Sequence, residues 1–293
     1  MALSGFLALT DELADYAKAR FAVLPIPYDA TTSYQAGTRN GPEAILSASR
    51  VLEEMDEELF VETYRHGIVT MSPVTVDVSG PEAMHRNILE AARRIVADGK
   101  FLLGLGGDHS VTSALYKAHA ERYGKLSMLQ IDAHLDLRDA YEHSPYSHAS
   151  VMRRVLEAGV ESIVPVGIRN VCAEELALVR EQKINMVTAR SCRDSNDWIE
   201  TVVDALSDSV YVSVDIDGFD PAFAPGTGTP EPGGLDWYQV TDLLRAVSCR
   251  KKIVGADIVE VMPIPGQNVT EFLAARLAYK IMTYVSADQQ EAG

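Results

Sequence analysis

Short runs of contiguous aliphatic residues alternate along the chain with longer stretches whose apolar positions recur every three or four residues. The short runs fall at 21–26, 67–69, 101–105, 126–131, 162–166, 185–187, 210–214 and 253–259. Several are almost unbroken Val, Ile and Leu, the pattern of strands buried on both faces. The longer stretches, at 42–54, 81–97, 112–122, 149–157, 173–181, 198–206, 237–247 and 270–284, read as helices. In 81–97, for example, Met84, Ile88, Ala91, Ala92 and Ile95 share one helical face. Eight strand–helix alternations predict a parallel sheet covered by helices. A closed barrel and an open three-layer sandwich both satisfy that pattern, and in either one ligands belong at the C-terminal ends of the strands.

No repeat, low-complexity tract or linker-like shift interrupts the alternation, so residues 1–293 are expected to form one domain. Composition changes the picture mainly through charge. Against 42 Asp and Glu stand 26 Lys and Arg, a formal net charge of −16, which repels phosphate backbones and anionic lipid. Nucleic acid and membrane surfaces are therefore not expected partners, whereas a small cation is welcome. Cys172, Cys192 and Cys249 lie far apart with no Cys-x-x-Cys, so neither a disulfide framework nor a thiolate zinc site is expected. No run is long and apolar enough for a membrane span. The apolar stretch at 6–9 follows no Lys or Arg and precedes Asp11 and Glu12, unlike a signal peptide. A cytoplasmic protein is the expectation.

The polar residues that break the strand pattern gather just beyond strand ends. Gly106-Gly107-Asp108-His109-Ser110 follows one run, Asp132-Ala133-His134-Leu135-Asp136 another, and Asp215-Ile216-Asp217 a third, while the last strand leads to Glu260. At an extended strand end, alternate side chains share a face, so Asp132, His134 and Asp136 can converge, as can Asp215 and Asp217. With His109 they make six candidate ligands, four carboxylates and two imidazoles. Four carboxylates in one cleft repel one another unless cations sit among them, and two divalent ions cancel their formal charge. A lone Asp-x-Asp is ordinarily a solvated turn and a lone His a surface or core residue; three such clusters after three buried strands are not explained that way. The glycines before His109 lack both the G-x-G-x-x-G spacing and the P-loop lysine, and read as room for close backbone packing.

These motifs resemble the three signatures of the ureohydrolases, the arginase and agmatinase family. The third, Ser213-Val-Asp-Ile-Asp-Gly-Phe-Asp-Pro-Ala-Phe-Ala-Pro-Gly-Thr-Gly-Thr-Pro-Glu-Pro-Gly-Gly234, is the most specific, and Thr38-Arg39-Asn40-Gly41-Pro42 and Val166-Gly167-Ile168-Arg169 extend the likeness over 21–284. The resemblance implies an α/β fold, a three-layer α/β/α sandwich with an eight-stranded parallel sheet. It also implies two Mn²⁺ per chain. One would take His109, Asp132, Asp136 and Asp215, the other Asp132, His134, Asp215 and Asp217, with Asp132 and Asp215 bridging. Carboxylates and imidazoles without thiolate suit such hard-to-borderline ions, although nickel, cobalt or iron could replace manganese. The implied activity is hydrolysis of a guanidinium group to urea and an amine. His148, in Ser147-His148-Ala149-Ser150, matches the family's proton shuttle, and Glu260 the acid that holds the guanidinium. Ala149 replaces a common Gly, and the run after Glu260 lacks a usual Pro-x-Tyr-Asp, which affects the pocket rim rather than the metals.

Agmatine, giving putrescine, is the expected substrate; N1-aminopropylagmatine (giving spermidine), guanidinobutyrate and arginine are the alternatives. The loop 137–146 lacks the hydroxyl- and amide-rich cluster of arginases. Its Asp139 and Glu142 would suit a primary ammonium, while Arg138 could pair with either acid or accept a carboxylate, and His143 is expected to be exposed. His66, His85 and His119 read as structural or exposed. Two non-ureohydrolase readings compete with this one: a silent metal-binding protein on this fold, which should have lost a ligand or the shuttle, and a mononuclear deacetylase, which needs fewer carboxylates. Relatives suggest a homotrimer or homohexamer.

Overall fold

Every strand expected from the aliphatic runs forms, and among the described residues all eight lie in one sheet with parallel neighbours. The computed structural model describes residues 5–193, 195 and 197–287. The strands are β1 (Phe21–Ile26), β2 (Ile68–Thr70), β3 (Phe101–Gly106), β4 (Ser127–Ile131), β5 (Ser162–Ile168), β6 (Val187–Thr188), β7 (Ser209–Asp215) and β8 (Lys252–Val259). Their order, β2-β1-β3-β8-β7-β4-β5-β6, leaves two free edges. The sheet is open, and the barrel alternative falls away.

The helices are α1 (Gly41–Ser49), α2 (Pro81–Ala97), α3 (Thr112–Tyr123), α4 (Val151–Glu157), α5 (Ala173–Gln182), α6 (Asp197–Ala205), α7 (Trp237–Arg250) and α8 (Val269–Ala287). They cover both faces. Phe21 and Val23 of β1 point into a core built with α1, α6, α7 and α8, while Ala22, Leu24 and Ile26 point into a second core with α2, α3, α4 and α5. Alternation along each strand thus feeds two hydrophobic layers, which is why the strands read as continuous apolar runs. Helix starts follow local chemistry. Pro81 opens α2 after Gly80, and Asp236 and Gln239 exchange hydrogen bonds of 2.8 and 2.9 Å in a capping box on α7. No helix among the described residues is long and apolar enough to cross a membrane.

Two elements differ from the sequence reading. The first helix stops at Ser49 rather than Glu54, because the following acidic segment is bound by α8: Arg276 donates to the Glu53 carbonyl (2.9 Å) and Tyr279 Oη to the Glu54 carbonyl (2.6 Å). The edge strand β6 is displaced and shortened to two residues, since only Val187 and Thr188 find partners on β5.

The same acidic segment encloses a buried cation. Lys280 is 2% exposed and lies 2.9 Å from Asp56, 3.0 Å from Glu57 and 3.2 Å from Glu58. Burial favours the neutral amine, but the carboxylates of Asp56 and Glu57 outweigh it and hold the Lys280 pKa above its usual value. Lys280→Met is expected to cost about 3–5 kcal/mol in a denaturant melt, because Asp56 is left buried without its counter-charge. Asp56→Asn in the same chain should recover part of the loss. A change below about 1 kcal/mol, the scale of a surface pair, would refute this.

Candidate metal centre and active site

Four adjacent strands, β3, β8, β7 and β4, carry the chemistry at their C-terminal ends. His109 follows β3, Glu260 follows β8, Asp215 ends β7 with Asp217 just beyond, and Asp132 follows β4. Since β8 and β7 separate β3 from β4, segments far apart in sequence are brought to one crevice, the usual ligand position in an open α/β sheet. Gly107 makes the approach possible, for a Cβ there would lie 2.0 Å from the Tyr28 carbonyl oxygen. The expectation of close backbone packing beside His109 is met. Arg169 pins the crevice floor by donating to the carbonyls of Asp217 (2.6 Å) and Glu231 (2.7 Å).

All six candidate ligands converge. His109 Nδ1 is 3.0 Å from Asp136, 3.2 Å from Asp132 and 3.3 Å from Asp215. His134 Nδ1 is 3.1 Å from Asp217 and 3.6 Å from Asp132. Two overlapping groups of metal-type donors result, His109–Asp132–Asp136 and Asp132–His134–Asp217, with Asp132 common to both. Asp215 joins the first through Oδ2, while its Oδ1 accepts the Asp217 N–H at 2.9 Å.

The donor chemistry fits cations. His109 Nδ1 is buried with no hydrogen-bond partner although carboxylate oxygens surround it, as expected of a lone pair reserved for an ion. The ionisation tendencies record the same crowding. Burial, then the charges of Asp217 and Asp132, push Asp215 well above the usual carboxylate range, and burial with Asp132 raises Asp136. Burial opposes a charged His134, yet Asp132 and Asp217 prevail and raise its pKa to about 12. Burial also opposes a charged His109, which Asp132, Asp136 and Asp215 hold well above the imidazole range. Without cations the cluster must hold protons to offset its own charge.

Glu260 accepts the His109 N–H at 2.8 Å, and burial with the charges of Asp215 and Asp108 holds its pKa well above normal. Both Glu260 (φ 61°) and Asp136 (φ 53°) occupy the left-handed region, at a cost on the order of 1–3 kcal/mol each. His148 opens a short 3-10 turn (His148–Ser150) ahead of α4. A cavity of about 250 Å³ joins these groups, with Tyr34, Arg138, Tyr141, His148, Glu175 and Glu260 in its wall.

The substrate-loop expectation requires correction. Asp139 is exposed, pairs with Arg154 at 3.3 Å and does not line the cavity; Glu142 is likewise exposed and absent from the wall. Both lie where the loop turns outward, with Glu142 (φ 48°) and His143 (φ 66°) in left-handed conformations. His143 is exposed, as expected. Arg138 pairs with neither acid but sits 5.2 Å from the centre of the Tyr141 ring. The acid in the wall apart from the metal cluster and Glu260 is Glu175, which is 5% exposed and accepts the backbone N–H groups of Leu137 and Cys172. His119 is buried, with its Nδ1 2.8 Å from the Leu115 carbonyl oxygen, and His85 is half-buried against Tyr146, both outside the site.

Supporting residues lie behind the candidate ligands. Gln130, fully buried two residues before Asp132, donates to Asp132 Oδ2 (2.8 Å) and to the His134 carbonyl (3.0 Å). Behind His109, Nε2 meets Ser213 Oγ at 2.9 Å, and Ser213 and Tyr211 both donate to Asp257, at 2.7 and 2.8 Å. Such partners orient a ligating imidazole and fix its tautomer. A glutamine at a buried position of β4 is the one visible signal; the Ser213–Asp257 pairing joins different strands and has none.

The fold and this constellation define a metallohydrolase of the α/β sandwich class. The chain belongs to the arginase family, whose profile matches residues 19–284. It is a ureohydrolase of that family, which uses a binuclear metal site. It is 41% identical over 289 residues to the N(1)-aminopropylagmatine ureohydrolase of Synechocystis sp., covering 96% of this chain and 94% of that one. The agmatinase of Pyrococcus horikoshii is 35% identical, with 92% and 93% covered. Among solved structures, agmatine ureohydrolase of Thermoplasma volcanium superposes with a TM-score of 0.88 at 30% identity, covering 99% of this chain and 97% of the other.

Proposed function

We propose that the chain hydrolyses the guanidinium group of N1-aminopropylagmatine, with agmatine as a slower substrate, releasing urea and a polyamine. The observation that carries the reading is the pair of donor groups sharing Asp132, set in one cavity with His148 and Glu260. His109, Asp132, Asp136, His134, Asp215 and Asp217 would hold two divalent ions, manganese by family resemblance. Bound there, the ions would supply Lewis acidity and lower the pKa of a water toward neutrality. The protein's own groups do the rest. Glu260 faces the guanidinium and balances its charge, and the cavity wall orients its plane toward the cluster. His148 delivers a proton to the departing amine, without which the C–N bond cannot break to a stable product. With the aspartates offset by the ions, Glu260 and Glu175 outnumber Arg138 in the wall, which favours a cationic tail, and Glu175 is the carboxylate placed to receive it.

The aminopropyl compound is preferred over agmatine because the more similar relative carries that name. A second reading rests on Arg138: a carboxylate-tailed guanidine such as guanidinobutyrate would pair with it. Urea release from the four guanidines decides. The aminopropyl compound should lead, and it and agmatine should each exceed L-arginine in kcat/KM by at least about 10²-fold, some 3 kcal/mol. Turnover of arginine at a comparable rate would overturn the charge argument, and dominance of guanidinobutyrate would favour the second reading. We further propose a cytoplasmic homotrimer or homohexamer with no nucleic-acid or membrane partner, in keeping with the family and the acidic surface.

A further inference from the structure

The seat of His148 is built from a segment outside the metal motifs. Asp108, the residue before His109, is completely buried and ligates no ion in the arrangement above. Its carboxylate instead accepts four hydrogen bonds. Oδ1 takes the N–H of Ser110 at 3.1 Å and the Ser110 hydroxyl, and Oδ2 takes the N–H and the hydroxyl of Thr31, each at 2.9 Å. Thr31 belongs to the loop after β1. That loop is held by Asp29, which accepts the N–H groups of Gly37 (2.8 Å) and Arg39 (3.1 Å) and pairs with the Arg39 guanidinium.

Proton accounting then fixes what Thr31 can offer. A hydroxyl has one proton and two lone pairs, and the proton goes to Asp108. Thr31 Oγ1 therefore accepts on its other side, where it meets the His148 N–H at 3.0 Å and His148 Nδ1 at 3.5 Å. Ser147 Oγ lies nearer, 3.3 Å from Nδ1; with the Nδ1 hydrogen shared between these two oxygens, the Nε2 lone pair is left toward Ser33, 3.5 Å away at the cavity wall. Tyr141 closes the remaining side, edge-on to the imidazole with ring centres 5.8 Å apart.

We propose that Thr31, oriented by Asp108, is a positioning residue that sets the placement and tautomer of His148. The inference rests on His148 being the proton carrier. It also accounts for the aspartate of the Gly-Gly-Asp-His motif, which anchors the loop that seats the shuttle.

The test uses the metal-loaded full chain. Thr31→Val keeps the side-chain shape and removes the hydroxyl. It should retain the wild-type metal content and KM while kcat falls about 10- to 100-fold, the cost of a misplaced reacting group. Thr31→Ser should restore kcat. In a double-mutant cycle, Thr31→Val should add nothing once His148→Asn is present, because both changes remove one function. Additive losses, or a wild-type kcat for Thr31→Val beside a crippled His148→Asn, would overturn the proposal and leave the reading of His148 intact. Wild-type turnover by His148→Asn would overturn both. Should Thr31→Val fail to fold, Thr31→Ala removes the same hydroxyl without adding bulk and carries the same expectations.

Discussion

Asp132→Ala is expected to abolish both metal positions at once. The Asp132 carboxylate faces His109 through Oδ2 and His134 through Oδ1, so its loss opens both donor groups. Affinity should fall by more than the roughly 10- to 100-fold that disturbing a ligand's supporting partner costs. Urea production should fall with it. His109→Ala, which touches the first group alone, should chiefly weaken one ion. Elemental analysis after gel filtration, on variants shown by circular dichroism to be folded, measures the difference directly. An Asp132→Ala protein that still holds two tightly bound ions would refute the shared-carboxylate arrangement.

His148→Asn is expected to separate proton delivery from metal binding. The side chain keeps polarity and approximate size but loses the imidazole that can pass a proton to the leaving group. Metal content should stay at the wild-type level while kcat falls roughly 10²- to 10⁴-fold, the range for a lost acid–base group. Added imidazole should recover part of the rate if the cavity admits it. Loss of metal alongside the rate would mean that His148 supports the cluster instead of serving the leaving group.

The first prediction draws on residues whose convergence is legible in the chain, and the reason is geometric, whereas His148 is marked only by its resemblance to the family's motif. Asp132, His134 and Asp136 sit at alternate positions just past a strand, as do Asp215 and Asp217, so local periodicity carries the information. The buried strands were legible for the same reason, and α2 begins and ends where its apolar face does. Features that depend on distant partners were not. The end of α1 is decided by Arg276 and Tyr279, more than 220 positions away. The role of Thr31 is decided by Asp108 and His148, 77 and 117 positions on. The acids of the 137–146 loop failed differently: their charge suited an ammonium, but the loop turns them outward and Arg154 claims one of them. Glu175, the acid that does face the cavity, reads in sequence as an ordinary residue of a helix's first turn.

The strand order has a consequence for how the protein matures. β3 and β4 are made early but are not neighbours; β7 and β8, made last, enter between them. A ribosome that has released only the first two hundred residues has therefore produced a sheet in two halves, with His109 on one and Asp132 on the other and no Asp215, Asp217 or Glu260. Closing the gap brings together segments of high sequence separation, a slow kind of step. Metal uptake must follow it, since the coordinating groups meet only when the last two strands are seated. The ions then favour the completed state over every partly folded one, by an amount that grows with their free concentration. The cellular supply of divalent ions would thus govern how much of this chain persists in folded form, as well as how fast each folded copy works.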